Sequence, residues 1–480
     1  MKEFGILMPI SSLYNDTGIG SLGKCSYEFI DFLKESNQQY WQILPIGHTS
    51  YGDSPYQTYS IYAGNPYFID LKMLAEDGLL DHGEIIYYNN DYIDYGFLYN
   101  TRFNILRKAY SRFNLNNEDY QGFINRNLWV KDYALFMTIK GINNGNPLSM
   151  WDDQYKFREN NTIQYVEKMY KNEINFWIFI QYEFYNQWYK LKKYANDKGI
   201  KIIGDIPIYV PYDSVEIWVM PEMFMINERL EMTFVSGAPA DSFSPNGQIW
   251  GSPLYNYEKM RNNNYKWWTD RILNSLKVFD LIRLDHFIGF SSFFAIDAKT
   301  RNALEGKWIN GPGYELFSLL DGKINPKNVI AEDLGHVTEE VKKLLKQTGF
   351  YRMKILQFAF NGDNNNVYLP KNYNENDVCY TGTHDNQTLK EWYYSLDYNT
   401  KEYVKREINC YDEANIVNAL IRYLYTSKAS ITIVPLQDYL KLGSEARMNI
   451  PGKPEKNWTW RVWKDALNRK ISLEILEYQR

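Results

Sequence analysis

The chain of 480 residues carries 53 Lys and Arg against 58 Asp and Glu, a net charge of −5 without any long basic run, so the electrostatic footprint of a nucleic-acid binder is missing. No run is long and apolar enough to span a bilayer, and the apolar opening is broken at Pro9, too early for a signal peptide. Cys25, Cys379 and Cys410 are widely spaced and form no CxxC pair, which points away from a disulfide framework or zinc site and toward a reducing cytoplasm.

In chain order, Gly5–Ile10 predicts a short strand, Ser26–Glu35 a helix with Phe29, Ile30, Phe32 and Leu33 at helical spacing, and Tyr40–Ile46 a second buried strand. Next come Gly52-Asp-Ser-Pro-Tyr-Gln57 and Ala63-Gly-Asn-Pro-Tyr-Phe68, turn-rich segments of the kind that carry binding residues after barrel strands. Residues 70–197 read as helices with Asn-rich connectors, an inserted subdomain rather than a loop of that length. The sheet resumes at Lys201–Ile208, where Asp205 ends an apolar run. A second excursion, 212–274, includes Gly237–Gly251, whose three Gly and two Pro mark a shaped loop.

Apolar runs then recur at Leu281–Leu284, Val329–Ala331, Lys354–Phe360, Val378–Thr381 and Ile431–Val434, with helical patterns such as Val341–Leu345 and Leu389–Tyr394 between them. Together with the three earlier strands this makes eight. The predicted fold is α/β, a (β/α)8 TIM barrel with insertions after strands 2 and 3, the whole of 1–480 forming one catalytic unit. A doubly wound open sheet is the alternative, weakened by the lack of G-x-G-x-x-G after the first strand.

Polar residues crowd the ends of these runs. Arg283 and Asp285 stand two apart and so share a strand face. A carboxylate there is costly to desolvate, and an adjacent guanidinium favours its ionised form, the state a nucleophile needs. A structural ion pair explains this stretch equally well. Glu332 and Asp333 end the fifth run, and His384 and Asp385 the seventh; singly, each could be an ordinary helix cap. Strand ends four, five and seven face one mouth, however, so Asp285, Glu332 and Asp385 could meet at one substrate atom. Converging carboxylates without a phosphate loop suggest glycosidic-bond chemistry. A metal site is the rival, but His286 and His384 would be unusual ligands for a hard cation, so neither metal nor cofactor is expected. Aromatics reach 17%, yet Tyr, Asn, Lys and Ile are heavy together, so only aromatics inside motifs count.

Arg283-Leu-Asp-His-Phe-Ile-Gly289, Ala331-Glu-Asp-Leu-Gly335 and Gly382-Thr-His-Asp-Asn386 resemble the core motifs of glycoside hydrolase family 77. These are the 4-α-glucanotransferases called amylomaltases or disproportionating enzymes, related to the α-amylases. Gly52–Gln57, Gly64–Tyr67, Gly251–Tyr255 and Gly443-Ser-Glu-Ala-Arg-Met-Asn449 extend the resemblance over nearly the whole chain. It implies a retaining transferase that moves α-1,4-glucan segments from maltodextrin, starch or glycogen chains to a glucan or glucose acceptor. Asp285 would be the nucleophile, Glu332 the general acid and then base, and Asp385 the group gripping sugar hydroxyls. Arg283, His384, Asp205 and His286 would support or bind beside them, with Tyr51 and Tyr56 near the glucan groove. Asp241, Phe243 and Trp250 would line it from the acceptor-side loop. Two departures stand out. Lys456-Asn-Trp458 replaces a common Gly-Asn-Trp, and the sequence stops at Arg480 without the C-terminal antiparallel β-domain of α-amylase relatives, which favours the transferase branch. An α-glucan hydrolase is the runner-up. A silent glucan-binding barrel is a third reading, disfavoured because the acids are intact.

Overall fold

Short apolar strands bounded by polar turns build the centre of the molecule, which is seen here in a computed structural model describing residues 2–50, 52–240, 245–335, 337–453 and 456–479. In chain order the strands are β1 (Glu3–Leu7), β2 (Tyr40–Gln42), β3 (Lys201–Ile206), β4 (Phe234–Ala238), β5 (Gln248–Pro253) and β6 (Leu281–Leu284). They continue with β7 (Ser292–Asp297), β8 (Lys307–Asn310), β9 (Val329–Ala331), β10 (Tyr351–Ile355), β11 (Asp377–Tyr380) and β12 (Ile431–Pro435). Eight of them close a parallel barrel in the order β1-β12-β11-β10-β9-β6-β3-β2, the (β/α)8 architecture expected from the eight apolar runs.

Several strand boundaries differ from the sequence expectation, for one recurrent reason: an apolar run does not stop where its strand stops. β1 ends at Leu7, because Pro9 breaks the ladder and Ile10–Ser12 coils into a single 3-10 turn. β2 has only three residues, although Ile43, Leu44 and Ile46 beyond it stay buried. The sixth strand lies at Tyr351–Ile355 rather than 354–360, and Leu356–Phe358 forms a 3-10 turn instead. Between β6 and β9 the expected helical interval holds β7 and β8. These pair antiparallel with each other, and β7 with β4, giving a separate four-stranded sheet β5-β4-β7-β8 beside the barrel.

Residues 71–197 contribute the helices Leu71–Glu76, Tyr95–Arg112, Glu118–Arg126, Trp129–Ile142, Asn160–Met169 and Lys171–Asp197, with three shorter elements. Local chemistry sets several starts: Asp70 accepts the Lys72 and Met73 N–H groups, and Asp94 accepts that of Phe97. The 27-residue helix Lys171–Asp197 buries Phe176, Phe179, Ile180, Phe184, Trp188 and Leu191, each gaining about 1.5–3 kcal/mol from leaving water. Thr338 caps the helix Glu339–Thr348, which Gly349 ends at φ +66°, a backbone angle that costs glycine little. Among the described residues no helix is long and apolar enough to cross a membrane.

Candidate active site

The alternation of β6 turns Arg283 into the barrel, where its side chain is only 3% exposed. Register decides what it meets. β3 pairs with β6 so that Asp205 stands level with Arg283, and Asp205, itself fully buried, accepts from Arg283 Nη1 through both oxygens at 2.8 Å. The same nitrogen lies 3.0 Å from Asp285 Oδ1, and Nη2 lies 3.0 Å from Glu332 Oε2. One guanidinium thus serves three carboxylates, from the ends of β3, β6 and β9. Burial opposes its charge, yet the three acids outweigh that and hold Arg283 well above its ordinary range.

That count has a protonic consequence. With Asp205 drawing on Arg283 through both oxygens, Asp285 and Glu332 share what remains of one positive charge, and they lie within hydrogen-bonding reach of each other. Burial pushes the Asp285 carboxyl up to about 8, with Arg283 pulling it down and Glu332 pushing it up again. The pair therefore retains one proton near neutral pH. The His286 N–H also donates to Glu332 Oε2 at 2.5 Å.

The turn after β6 is built to aim that donor. His286 adopts a left-handed backbone at φ +47°, a strain of about 1–3 kcal/mol for a non-glycine residue. It is held by hydrogen bonds from Phe287 N–H to the Glu332 carbonyl (3.0 Å) and from Gly289 N–H to the His286 carbonyl (2.9 Å). A Cβ at Gly289 would meet the Ile208 Cδ1 at 2.8 Å and the His286 ring at 3.1 Å, so a larger residue there would have to push both side chains aside. Burial pushes the His286 imidazole down to about 4, leaving it neutral.

On the opposite wall, Asp385 Oδ1 accepts from Asn449 Nδ2 at 2.6 Å, and its Oδ2 lies 3.2 Å from His384 Nε2. Burial would raise Asp385, but His384, Asn449 and Arg283 together hold it well below the usual carboxylate range. His384 moves upward; burial would lower it, and the Asp385 charge outweighs that. The Tyr56 ring stacks on His384 with centroids 5.1 Å apart, and its hydroxyl donates to Asp205 Oδ2 at 2.6 Å. A continuous polar chain thus runs from Asp385 through His384, Tyr56 and Asp205 to Arg283 and the Asp285/Glu332 pair. Trp250, 37% exposed, packs edge-on against His286 at 4.8 Å and faces Tyr209 at 6.2 Å, placing an open aromatic next to Asp285.

Nine of the twelve residues singled out from sequence therefore fall in one cluster: Asp205, Arg283, Asp285, His286, Glu332, His384, Asp385, Tyr56 and Trp250. Tyr51, Asp241 and Phe243 lie outside the described residues. Sequence reasoning missed Asn449 as a partner of Asp385, and Arg447, whose Nη2 reaches the Asp385 carbonyl at 3.4 Å. The signal available for both was the segment Gly443–Asn449, which lies beyond the last strand and so ends no apolar run. Among the described residues no group of three or more His, Cys, Asp and Glu side chains is arranged to hold a metal ion.

Comparison with known proteins gives a consistent picture. The family model described as 4-alpha-glucanotransferase, glycoside hydrolase family 77, matches residues 8–465. A 4-alpha-glucanotransferase of Clostridium butyricum is 44% identical over 98% of this chain and 99% of its own length. One from Thermus thermophilus is 40% identical over 96% and 95%. Among solved structures, the amylomaltase of Streptococcus agalactiae in complex with acarbose superposes with a TM-score of 0.97 at 38% identity, covering 100% of this chain and 98% of that one.

Proposed function

This chain belongs to glycoside hydrolase family 77, the 4-alpha-glucanotransferases, and from that premise we propose how its residues divide the work of moving an α-1,4-glucan segment from donor to acceptor. Asp285 attacks C1 of the donor sugar from the face opposite the leaving chain, while Glu332 gives its proton to the departing 4-oxygen. The product is a β-linked glucosyl ester on Asp285. The 4-hydroxyl of an acceptor then surrenders its proton to Glu332 and attacks C1, Asp285 leaves, and two inversions restore the α linkage.

The observation that carries this reading is the single guanidinium of Arg283 touching Asp205, Asp285 and Glu332. It supports retention, because inverting enzymes keep their carboxyls apart with a water between them, about 6.5–9.5 Å, whereas these two share one side chain. It also gives Asp285 a counter-charge when it ionises. The reaction needs the shared proton on Glu332. Glucan binding favours that placement: positive charge developing at C1 favours an ionised Asp285, and the leaving oxygen arrives beside Glu332. Asp385, kept ionised by His384 and Asn449, grips sugar hydroxyls from the far wall, and Trp250 with Tyr209 offers aromatic faces on the acceptor side.

We place residues 70–197 and 212–274 as insertions serving this one catalytic unit, and the enzyme in the cytoplasm, where its three free thiols would stay reduced. Incubation with maltotriose and chromatography of the products tests the whole assignment. Glucose plus longer maltodextrins with a nearly constant number of reducing ends is the expected result. A steady rise in reducing ends would replace transfer with hydrolysis.

A further inference from the structure

The barrel lacks a helix where the sixth should be. Between β10 and β11 the chain forms only the 3-10 turns Leu356–Phe358 and Pro370–Asn372, so the outward face of β10 is not covered as in the other units. Strand alternation puts Arg352 and Lys354 on that face, opposite Met353 and Ile355. The space left is a groove of about 840 Å³ whose lining includes neither Trp250 nor Tyr209.

The lining is unusual for an acidic protein. Lys342, Lys346, Arg352, Lys354 and Lys428 face it against only Asp333 and Glu375, an excess of three positive charges in a chain of net charge −5. Some of these are already occupied: Arg352 pairs with Asp377 at 2.8 Å and Lys342 with Glu339 at 2.6 Å. Lys354 is different. It is only 8% exposed, lines the groove, and lies over the Tyr368 ring at 5.3 Å, with no hydrogen bond or ion pair to any described residue. Its charge acts on Asp333 from beyond ion-pair distance, and Asp333 is already engaged by the Met353 N–H at 2.9 Å. The Lys354 stem is buried while its ammonium opens onto the groove with no acid in ion-pair contact, so its charge is available to an anion that comes from outside.

We propose that this groove binds a phosphate group, free or esterified to a sugar, through Lys354 with Lys346 and Lys428 at its rim. Phosphate matches the chemistry because it accepts from several ammonium groups at once. The volume admits a hexose as well, for which Phe350, Val367 and Tyr368 provide apolar faces and Asn374 and Asn376 amide groups. Asp333 follows Glu332 directly in the chain, so an occupied groove would sit behind the strand end that carries the general acid.

Isothermal titration of the full chain at low salt, with inorganic phosphate and with glucose 6-phosphate in separate runs, tests this. One-to-one binding of at least one of them is expected, weakening as salt rises. Tighter binding of the ester assigns the site to a sugar phosphate, and equal binding assigns it to the free ion. Lys354→Met should weaken binding by about tenfold or more, as expected for loss of a charge-assisted contact, and Lys354→Arg should retain it. Should Lys354→Met fold poorly, the doubly substituted Lys346→Gln, Lys428→Gln protein, altered only at exposed positions, should bind several-fold more weakly. Absence of binding by both probes, or binding that survives these substitutions, overturns the proposal.

Discussion

Asn449→Ala isolates one link in the polar chain, the hydrogen bond from Asn449 Nδ2 to Asp385 Oδ1 at 2.6 Å. A hydrogen bond to a charged group contributes about 1.5–3 kcal/mol. The Asp385 side chain is 45% exposed, so water replaces part of what is lost and the lower end, about 1.5 kcal/mol, applies. If Asp385 grips the sugar most strongly in the transition state, this loss falls on kcat rather than KM, a decrease of about tenfold at about 1.4 kcal/mol per decade. The assay is the initial rate of glucose release from maltotriose over a range of concentrations, with melting followed in parallel. The melting temperature should stay within about 2 °C of wild type, as for a residue whose loss opens no core cavity. A kcat within about twofold of wild type in a fully folded protein would show that Asp385 needs no help in holding its orientation.

The two central acids should fail in different ways. Asp285→Asn should abolish formation of the glucosyl-enzyme, seen by mass spectrometry of denatured protein after mixing with substrate, whereas Glu332→Gln should bind glucan and lose about 10²–10⁴ in rate; near wild-type turnover by either variant rejects its role. The rate should fall as pH rises through about 8, because the proton held by the Asp285/Glu332 pair is then lost and no acid remains for the leaving oxygen. The sign for stability follows the same shift. The folded Asp285 binds its proton more tightly than an unfolded Asp near 3.9, so its contribution is fully present below about pH 4 and disappears as pH rises through about 8. A flat rate profile to pH 9.5 would rule out a shared proton. Trp250→Ala should raise the hydrolytic fraction of maltotriose turnover by opening the acceptor side to water, measured as reducing ends gained per glucose released; an unchanged ratio would remove Trp250 from acceptor selection.

Much of the site is encoded locally. Period-two spacing alone sets Arg283 and Asp285 on one face of β6, and the apolar runs with polar ends are enough to locate Glu332 and Asp385. Eight such runs suffice for a closed barrel, because strand count and the βα rhythm are properties of successive segments. Pairing across distance is another matter. That Asp205 lies level with Arg283, and so consumes half of the guanidinium and leaves one proton to the Asp285/Glu332 pair, depends on β3–β6 register between residues 78 positions apart. Asn449 reaches Asp385 only because the segment after β12 folds back over the end of β11. β7 and β8 occupy an interval whose spacing reads as helical, since an antiparallel sheet with β4 and β5 draws its hydrogen bonds from partners whose identity is decided only when the chain is folded. Local patterns fix which face a side chain takes; closure of the barrel determines which charges must then share it.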